Sequence, residues 1–140
     1  MSARRKLEIR VHIPRSRGGV MDVLGLLSHH QLPTLTRSCS ADGEGLLLLL
    51  TTSRPEDVQQ VLTKAGYRCE TQPVVVLSIG EYQPGPAAHL TTTLGSQGVG
   101  IRYSYLSSID AEKCFMVLGT TDNERALQLF GVPLDPADEI

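Results

Sequence analysis

The chain contains 140 residues, of which 41% are hydrophobic, 4% are aromatic and 20% are charged. This length fits one ordinary domain or two very small ones that share a core, and the apolar fraction is too high for a disordered chain. The formal net charge of -2 gives no global attraction to nucleic acid or to an anionic membrane surface. No stretch approaches the roughly 20 apolar residues of a membrane span, so we expect a cytoplasmic protein without a membrane partner.

The first half of the chain predicts the element order βαββαβ. Apolar and polar side chains alternate over residues 7–13, as in a half-buried strand. From Val20 the apolar residues follow helical spacing, and Ser53 is the expected cap of a second helix. Between the two helices, the turn residues 42–45 separate two extended segments, which predicts a hairpin of strands two and three. Gly66 marks the end of the second helix, and a fourth strand follows it.

The second half of the chain predicts the same order again. Gly18 and Gly85, for example, precede corresponding helices and are about 67 residues apart, and the other elements keep nearly the same spacing. This spacing indicates an internal duplication with two modules, residues 1–73 and 74–140, each marginal in size for a stable core of its own. The pattern predicts an α+β fold of two ferredoxin-like βαββαβ modules, in which antiparallel sheets carry both helices on one face.

Residues 46–50 form a run of five leucines in the third predicted strand. A strand with one face toward water alternates, whereas this run places leucines on both faces of its sheet. A large bare apolar face is rare in a soluble monomer, so the run predicts that two chains cover these faces as a homodimer, with Leu48 as a candidate interface residue. A central strand that is partly exposed in a monomer is the alternative.

The sequence contains no constellation that predicts catalysis. His29 and His30 lie at the predicted end of the first helix, where cationic side chains offset the helix dipole. There is no Gly-x-Ser-x-Gly motif, no phosphate-binding loop between a strand and a helix, and no His-Glu-x-x-His. Three cysteines without a Cys-x-x-Cys pair predict free thiols rather than a disulfide framework or a zinc site. We therefore expect no enzyme, no catalytic residue, no metal and no cofactor.

Several segments resemble those of tandem ACT domains, βαββαβ modules that bind amino acids or similar small ligands and regulate enzymes. The resemblance is carried by the proline–glycine step at residues 84–87, the helix end and strand at residues 97–105, and the helix end at residues 62–67. It extends over residues 6–131 and is similar to stand-alone module pairs that lack a catalytic domain. The family often has an asparagine in strand two, where this chain has Pro33 and Gly100.

The resemblance implies a non-catalytic regulatory protein with modules that pair side by side and bind an amino acid or a similar small carboxylate at their junction. In such a pair, strand two of one module lies beside strand two of the other, and a regulated metabolic enzyme is a further partner. The N–H groups of a first helical turn and the helix dipole also favour a carboxylate there on physical grounds. The predicted ligand-binding residues are Gly18, Gly19, Val20, Leu35, Gly85, Ala87, Ala88, Tyr103 and Tyr105.

Two other functions are compatible with the same element order. The first is a protein-interaction or oligomerisation module of this fold that binds no small ligand. The second is RNA recognition, in which bases stack on aromatic side chains of the sheet and basic charge attracts the phosphates. Strands one and three contribute Phe115 as their one aromatic residue and the net charge is negative, so no nucleic acid partner is expected.

Overall fold

The computed structural model describes residues 2–80, 84–110 and 113–130, which form six strands and four α-helices. The strands are β1 (Ser2–Ile13), β2 (Thr36–Asp42), β3 (Gly45–Thr51), β4 (Arg68–Gly80), β5 (Ile101–Asp110) and β6 (Lys113–Thr120). The helices are α1 (Val20–His29), α2 (Pro55–Lys64), α3 (Pro84–Ser96) and α4 (Asn123–Leu129), and a 3-10 turn (Arg15–Arg17) precedes α1. Within these described ranges, every helix is too short or too polar to cross a membrane.

The chain divides into two compact units. The first unit contains residues 7–72, and the second unit contains residues 1–6 together with residues 73–140. Because β1 and β4 each contribute residues to both units, the first unit is an insertion in the chain of the second. The sequence-based division assigned residues 1–6 to the first module, whereas here they group with the second, where Ala3 is fully buried in the core.

Each unit contains a four-stranded sheet, and the predicted α+β fold of two βαββαβ-like modules is confirmed. The strand order is β2-β3-β1-β4 in the first unit and β1-β4-β6-β5 in the second. The ladders of β3 with β1 and β2, and of β6 with β4 and β5, are antiparallel. β2 and β5 are therefore edge strands, whose neighbours are β3 and β6 respectively. The predicted pairing of β2 with β5 is wrong for a single chain.

The two helices of each unit pack against one face of its sheet. In the first core, the sheet contributes Ile9, Val11, Ile13, Leu48 and Leu50, and the helices contribute Val23, Leu27, Val58 and Leu62. In the second core, the sheet contributes Ala3, Val75, Leu77, Met116 and Leu118, and the helices contribute Leu90, Leu94 and Ala126. In α1, α2 and α3 the core residues are four positions apart, on one face of the helix, so burial of this face against the sheet explains why the helices form where they do.

The leucines of β3 point to both faces of the first unit's sheet. Leu48 and Leu50 lie in the first core and are 1% and 0% exposed. Leu47 and Leu49 point to the face that carries no helix, and both are half-buried. Leu48 is therefore not on the helix-free face, and its proposed role at a dimer interface is wrong because strand alternation turns it toward α1 and α2.

Candidate ligand-binding site

The loop between β1 and α1 is attached to the end of α2 by Arg17. The Nη2 group of Arg17 donates a hydrogen bond to the carbonyl oxygen of Ala65, and its Cζ lies 4.6 Å from the centroid of the Tyr67 ring. Gly66 has a φ of +93°, and a Cβ at this position would lie 2.9 Å from Nη1 of Arg17. A cation at the carboxyl end of a helix is favourable because the carbonyl groups there lack helical partners. These contacts fix the loop that precedes α1.

Gly18 and Gly19 lead directly into α1, which begins at Val20. Gly18 has a φ of 79°, a conformation that glycine adopts readily and other residues rarely adopt. Gly19 is the N-cap residue of α1 in an extended conformation, and no side chain caps this helix end. The loop therefore presents N–H groups of the first helical turn at the positive end of the helix dipole.

The carboxylate of Asp22 lies beside these glycines, a feature that the sequence analysis missed. A Cβ added at Gly18 would lie 1.9 Å from Oδ2 of Asp22, which shows how closely the carboxylate approaches the loop. Asp22 is in the first turn of α1 and is exposed. Its charge repels a simple anion from the predicted position. The signal in the sequence was an acidic residue four positions after Gly18, the spacing of one helical turn.

An open groove of about 790 Å³ lies along α1 and the segment that connects it to β2. Its lining includes the apolar Met21, Leu24, Leu27, Leu32 and Pro33 and the polar Ser28, Gln31, Thr34 and Arg37. Of the predicted site residues in the first unit, Gly18, Gly19, Val20 and Leu35 are not part of this lining. Leu35 is half-buried, and its N–H group donates to the Thr51 carbonyl oxygen at 2.8 Å.

The predicted residues of the second unit fall in two places. Gly85, Ala87 and Ala88 lie inside α3, which begins at Pro84, so Gly85 is helical rather than part of a loop before the helix. Ala88 is exposed, and its carbonyl oxygen accepts hydrogen bonds from the hydroxyl groups of Thr91 and Thr92. The surroundings of Gly85 and Ala87 lie outside the described residues, so their contact with a ligand stays a prediction.

Tyr103 and Tyr105 lie on the same face of β5, with ring centroids 6.5 Å apart and ring planes within 6° of parallel. Tyr103 pairs with Gly119 of β6, and a Cβ at Gly119 would lie 2.3 Å from Cε1 of the Tyr103 ring. Leu118, the neighbour of Gly119, points to the opposite face, into the second core. The two tyrosines are therefore on the helix-free face of the second unit. This unit does not bring them together with the first turn of α3.

The described residues include three free thiols, and burial affects the ionisation of each. Burial raises the pKa of the three thiols, Cys39, Cys69 and Cys114, so they are protonated and weakly nucleophilic near neutral pH. Within the described ranges, no group of three His, Cys, Asp or Glu side chains could hold a metal ion.

One ion cluster lies on the first unit's sheet. The Nη2 of Arg68 donates to Oε1 of Glu70 at 2.8 Å, and this hydrogen bond is the main reason that the pKa of the Glu70 carboxyl is lowered. His12 also lowers the pKa of Glu70, with its Nε2 3.0 Å from the same oxygen. These contacts connect β1 with β4 at an exposed surface.

Comparison with known proteins identifies the family of this chain. A family model described as an ACT domain pair matches residues 5–131. No curated protein matches the sequence.

For three of the similar solved structures, the match covers nearly all of this chain and nearly all of the other chain. Protein BT0572 from Bacteroides thetaiotaomicron has a TM-score of 0.81 at 16% identity, covering 92% of this chain and 88% of that one. The regulatory subunits of aspartate kinase from Thermus flavus and from Thermus thermophilus, the latter ligand-free, have TM-scores of 0.65 and 0.66. Their identities are 14% and 13%, and each match covers 94% of this chain and 95% of the subunit. At these identities the solved structures support the fold alone. The family model matches residues of both units, so the chain belongs to the ACT domain pair family.

Proposed function

We propose that this chain is a non-catalytic regulatory protein of the cytoplasm that binds an amino acid. The observation that carries the proposal is the match to an ACT domain pair over residues 5–131, which begins within β1 and extends past α4. Solved structures of this fold include regulatory subunits of aspartate kinase. By analogy, the partner of this chain is a metabolic enzyme whose activity responds to the bound ligand, and the three free thiols suit a reducing compartment.

The loop before α1 favours a zwitterionic ligand over a simple carboxylate. The N–H groups that follow Gly19 can donate hydrogen bonds to the ligand's carboxylate, and the exposed carboxylate of Asp22 can accept hydrogen bonds from its ammonium group. An amino acid is the smallest common metabolite that carries both charges. Asp22 would repel a ligand without an ammonium group, so the same residue gives selectivity.

Two charged contacts alone do not give useful affinity. Each contact at an exposed helix terminus contributes about 0.3–1 kcal/mol. A micromolar dissociation constant corresponds to about 8 kcal/mol, so apolar walls must contribute most of the binding free energy. We propose Leu35 as one such wall in the first unit, and the predicted residues of the second unit, Gly85, Ala87, Ala88, Tyr103 and Tyr105, as ligand contacts of that unit alone.

Thermal denaturation against a panel of amino acids tests this function. A ligand at about 100 times its dissociation constant stabilises the folded state by about 2.7 kcal/mol, which raises the midpoint by roughly 10 °C. The N-acetyl and amide derivatives of the responding amino acid should have little effect, because each lacks one of the two charges. Asp22→Asn should weaken the binding that causes the response about two- to five-fold, whereas Glu56→Gln, at the exposed first turn of α2, should leave it unchanged. A panel without any saturable response contradicts the proposal.

A module that assembles without a small ligand is the second candidate. Two observations favour it: β2 is an edge strand, and Met21, which lines the groove on α1, is 77% exposed. The predicted homodimer is part of this second candidate function. Its contact surface would be the helix-free face of the first unit, which carries Leu47 and Leu49 rather than Leu48. Sedimentation should then show a dimer at micromolar concentration that Leu49→Lys dissociates. A wild-type monomer under these conditions contradicts the dimer.

A further inference from the structure

The two helices of the first unit differ on the faces that point away from the core. Both have ten residues, and both bury the fourth and the eighth in the first core. The second, fifth, sixth and ninth residues line an open groove on each helix: Met21, Leu24, Gly25 and Ser28 on α1, and Glu56, Gln59, Gln60 and Thr63 on α2. A helix face in contact with water is normally polar, as it is on α2. The groove on α1, which we call the α1 groove, therefore suits a bound molecule better than water.

Gly25 keeps the α1 groove open although it weakens the helix. Apart from proline, glycine is the least favourable residue inside an α-helix. A Cβ added at Gly25 would meet no atom within 4 Å, so packing within the chain does not require glycine here. Because Gly25 is part of the lining, a larger side chain would project into the groove. The glycine thus leaves space for a ligand.

Gln31, which also lines the α1 groove, has a backbone conformation that favours glycine. Its φ is 56°, and in the part of the chain that the structure describes it is the one residue other than glycine with a positive φ. The corresponding residues, two positions after the ends of α2 and α3, are Gly66 and Gly98. All three helix ends have the same pair of backbone hydrogen bonds, so glycine would suit each of them. A contact that the glutamine side chain makes in the groove explains its presence better than the helix end does.

The polar groups of the α1 groove indicate a carboxylate ligand. Arg37 is the one charged side chain among the described residues of the lining, and its guanidinium stays protonated whatever it contacts. Ser28, Gln31 and Thr34 add side chains that can donate hydrogen bonds. These lining residues offer no carboxylate to an ammonium group, in contrast to the loop beside Asp22. The groove therefore favours a carboxylate without an ammonium group.

We propose that the α1 groove binds a carboxylate that carries an aliphatic chain, a second ligand that is chemically distinct from the amino acid proposed for the loop before α1. In this complex, Leu24, Leu32 and Pro33 contact the chain. Arg37 and Gln31 bind the carboxylate. The groove volume of about 790 Å³ lies within the range of about 300–1,000 Å³ that is typical of small-molecule sites.

A second copy of the chain is a poorer occupant of the groove. A symmetric contact through this surface brings Arg37 of both chains into one interface. None of the described lining residues is acidic, so the groove supplies no carboxylate to either guanidinium. A small carboxylate brings the missing charge with it.

NMR titration of the full-length chain with octanoate tests the site. Octanoate should cause saturable shifts of backbone amides in residues 24–37, with a dissociation constant in the millimolar range or below. Octylammonium, which has a similar chain and the opposite charge, should bind there several-fold more weakly. The α-amino derivative of octanoate should also bind there several-fold more weakly, because it carries an added ammonium group. Equal binding of all three probes, shifts confined to other segments, or no saturable binding would overturn the proposal.

Two substitutions in the groove and one control locate the binding. Gly25→Leu fills the groove and should weaken octanoate binding at least tenfold, while the thermal midpoint stays the same or rises because leucine is the better helix former. Arg37→Gln should weaken binding about two- to five-fold. Lys64→Gln, in the polar groove on α2, should leave it unchanged. Undiminished binding to Gly25→Leu contradicts the proposed site.

Two further measurements separate this site from other functions of the first unit. Gly25→Leu should retain the response to amino acids, since Asp22 and the glycines before α1 are not part of the groove lining. Loss of both responses in this folded variant would mean that the two sites are not distinct. Sedimentation tests the remaining occupant: a dimer that Met21→Glu dissociates and that octanoate leaves intact would show that the groove is an interface between copies.

Discussion

The two units have the same arrangement of strands and helices, but they differ at corresponding residue pairs of their edge strands. In the first unit, Thr36 of β2 lies opposite Thr51 of β3, and their buried hydroxyl groups are 2.6 Å apart. In the second unit, Tyr103 of β5 lies opposite Gly119 of β6, and the tyrosine ring occupies the space that a side chain would fill. A side-chain hydrogen bond thus connects β2 with β3 in the first unit, and the packing of an aromatic ring on a glycine connects β5 with β6 in the second.

The helix-free faces of the two units differ in how deeply their residues are buried. In the first unit, Leu47 and Leu49 are half-buried and have Arg10 and His12 of β1 as cross-strand neighbours. In the second, every residue of β6 from Cys114 to Thr120 is buried. The helix-facing cores are alike because both helices of each unit require the same apolar stripe. The opposite faces are not constrained in this way, so they are where the two units can acquire different partners.

The largest effect is expected from truncating corresponding core leucines. Leu50→Ala and Leu118→Ala each remove a fully buried side chain and should lower the free energy of unfolding by about 2–5 kcal/mol. Denaturant unfolding measures the loss, and hydrogen exchange shows which unit it affects. Leu47→Ala, at a half-buried position, is the matched control with a smaller loss. An equal loss for Leu47→Ala would contradict the difference between the two faces of β3.

The threonine pair should show strong coupling. Thr36→Val leaves the hydroxyl group of Thr51 buried without its partner, which should cost about 1–3 kcal/mol. The double variant Thr36→Val/Thr51→Val removes both polar groups and should regain most of this loss. A double-mutant cycle of unfolding free energies measures the coupling. Additive losses would mean that the hydrogen bond does not stabilise the edge of the first unit.

The glycines that follow α2 and α3 provide a matched pair. Gly66 and Gly98 both have positive φ angles, 93° and 78°, so alanine at either should cost about 1–2 kcal/mol. At Gly98 a Cβ meets open space, whereas at Gly66 it would displace the guanidinium of Arg17. Gly66→Ala should therefore be the more destabilising, and the excess should vanish in the Arg17→Ala background. Equal costs at the two glycines would argue against the Arg17 contact.

The smallest effect concerns Glu70 of the first unit. Its pKa is lowered in the folded state, mainly by the hydrogen bond from Arg68, so its contribution to stability is present above the unfolded pKa. This contribution is lost as the pH falls through the lowered value. In Arg68→Gln the pKa of Glu70 should rise toward the ordinary value, so the contribution should be smaller and its loss should be complete at a higher pH. A carboxyl NMR titration measures this, and His12→Gln should cause a smaller change in the same direction.

Several local predictions from the sequence agree with the structure, and others fail for identifiable reasons. Gly66 ends α2 as predicted, because a positive φ after a helix is a local requirement. Ser53 does not cap α2: Arg54 is the N-cap residue and makes no side-chain cap bond. In α4 the corresponding Asp122 does accept a hydrogen bond, from the N–H group of Arg125. Boundaries of helices depend on backbone details that side-chain patterns do not contain.

The sequence by itself determined the alternation of strands and helices from β1 to α4 and the duplication, because periodicity and repeat spacing are properties of neighbouring residues; it divided β4 into two strands, and the strand that it predicts after α4 lies outside the described residues. Only the tertiary structure decided which face of β3 carries Leu48, where residues 1–6 belong, and how closely Asp22 approaches Gly18. It also separated the two tyrosines of β5 from the first turn of α3. These outcomes depend on strand register and on the side of the sheet that the helices cover, and both are set by contacts between residues far apart in the chain.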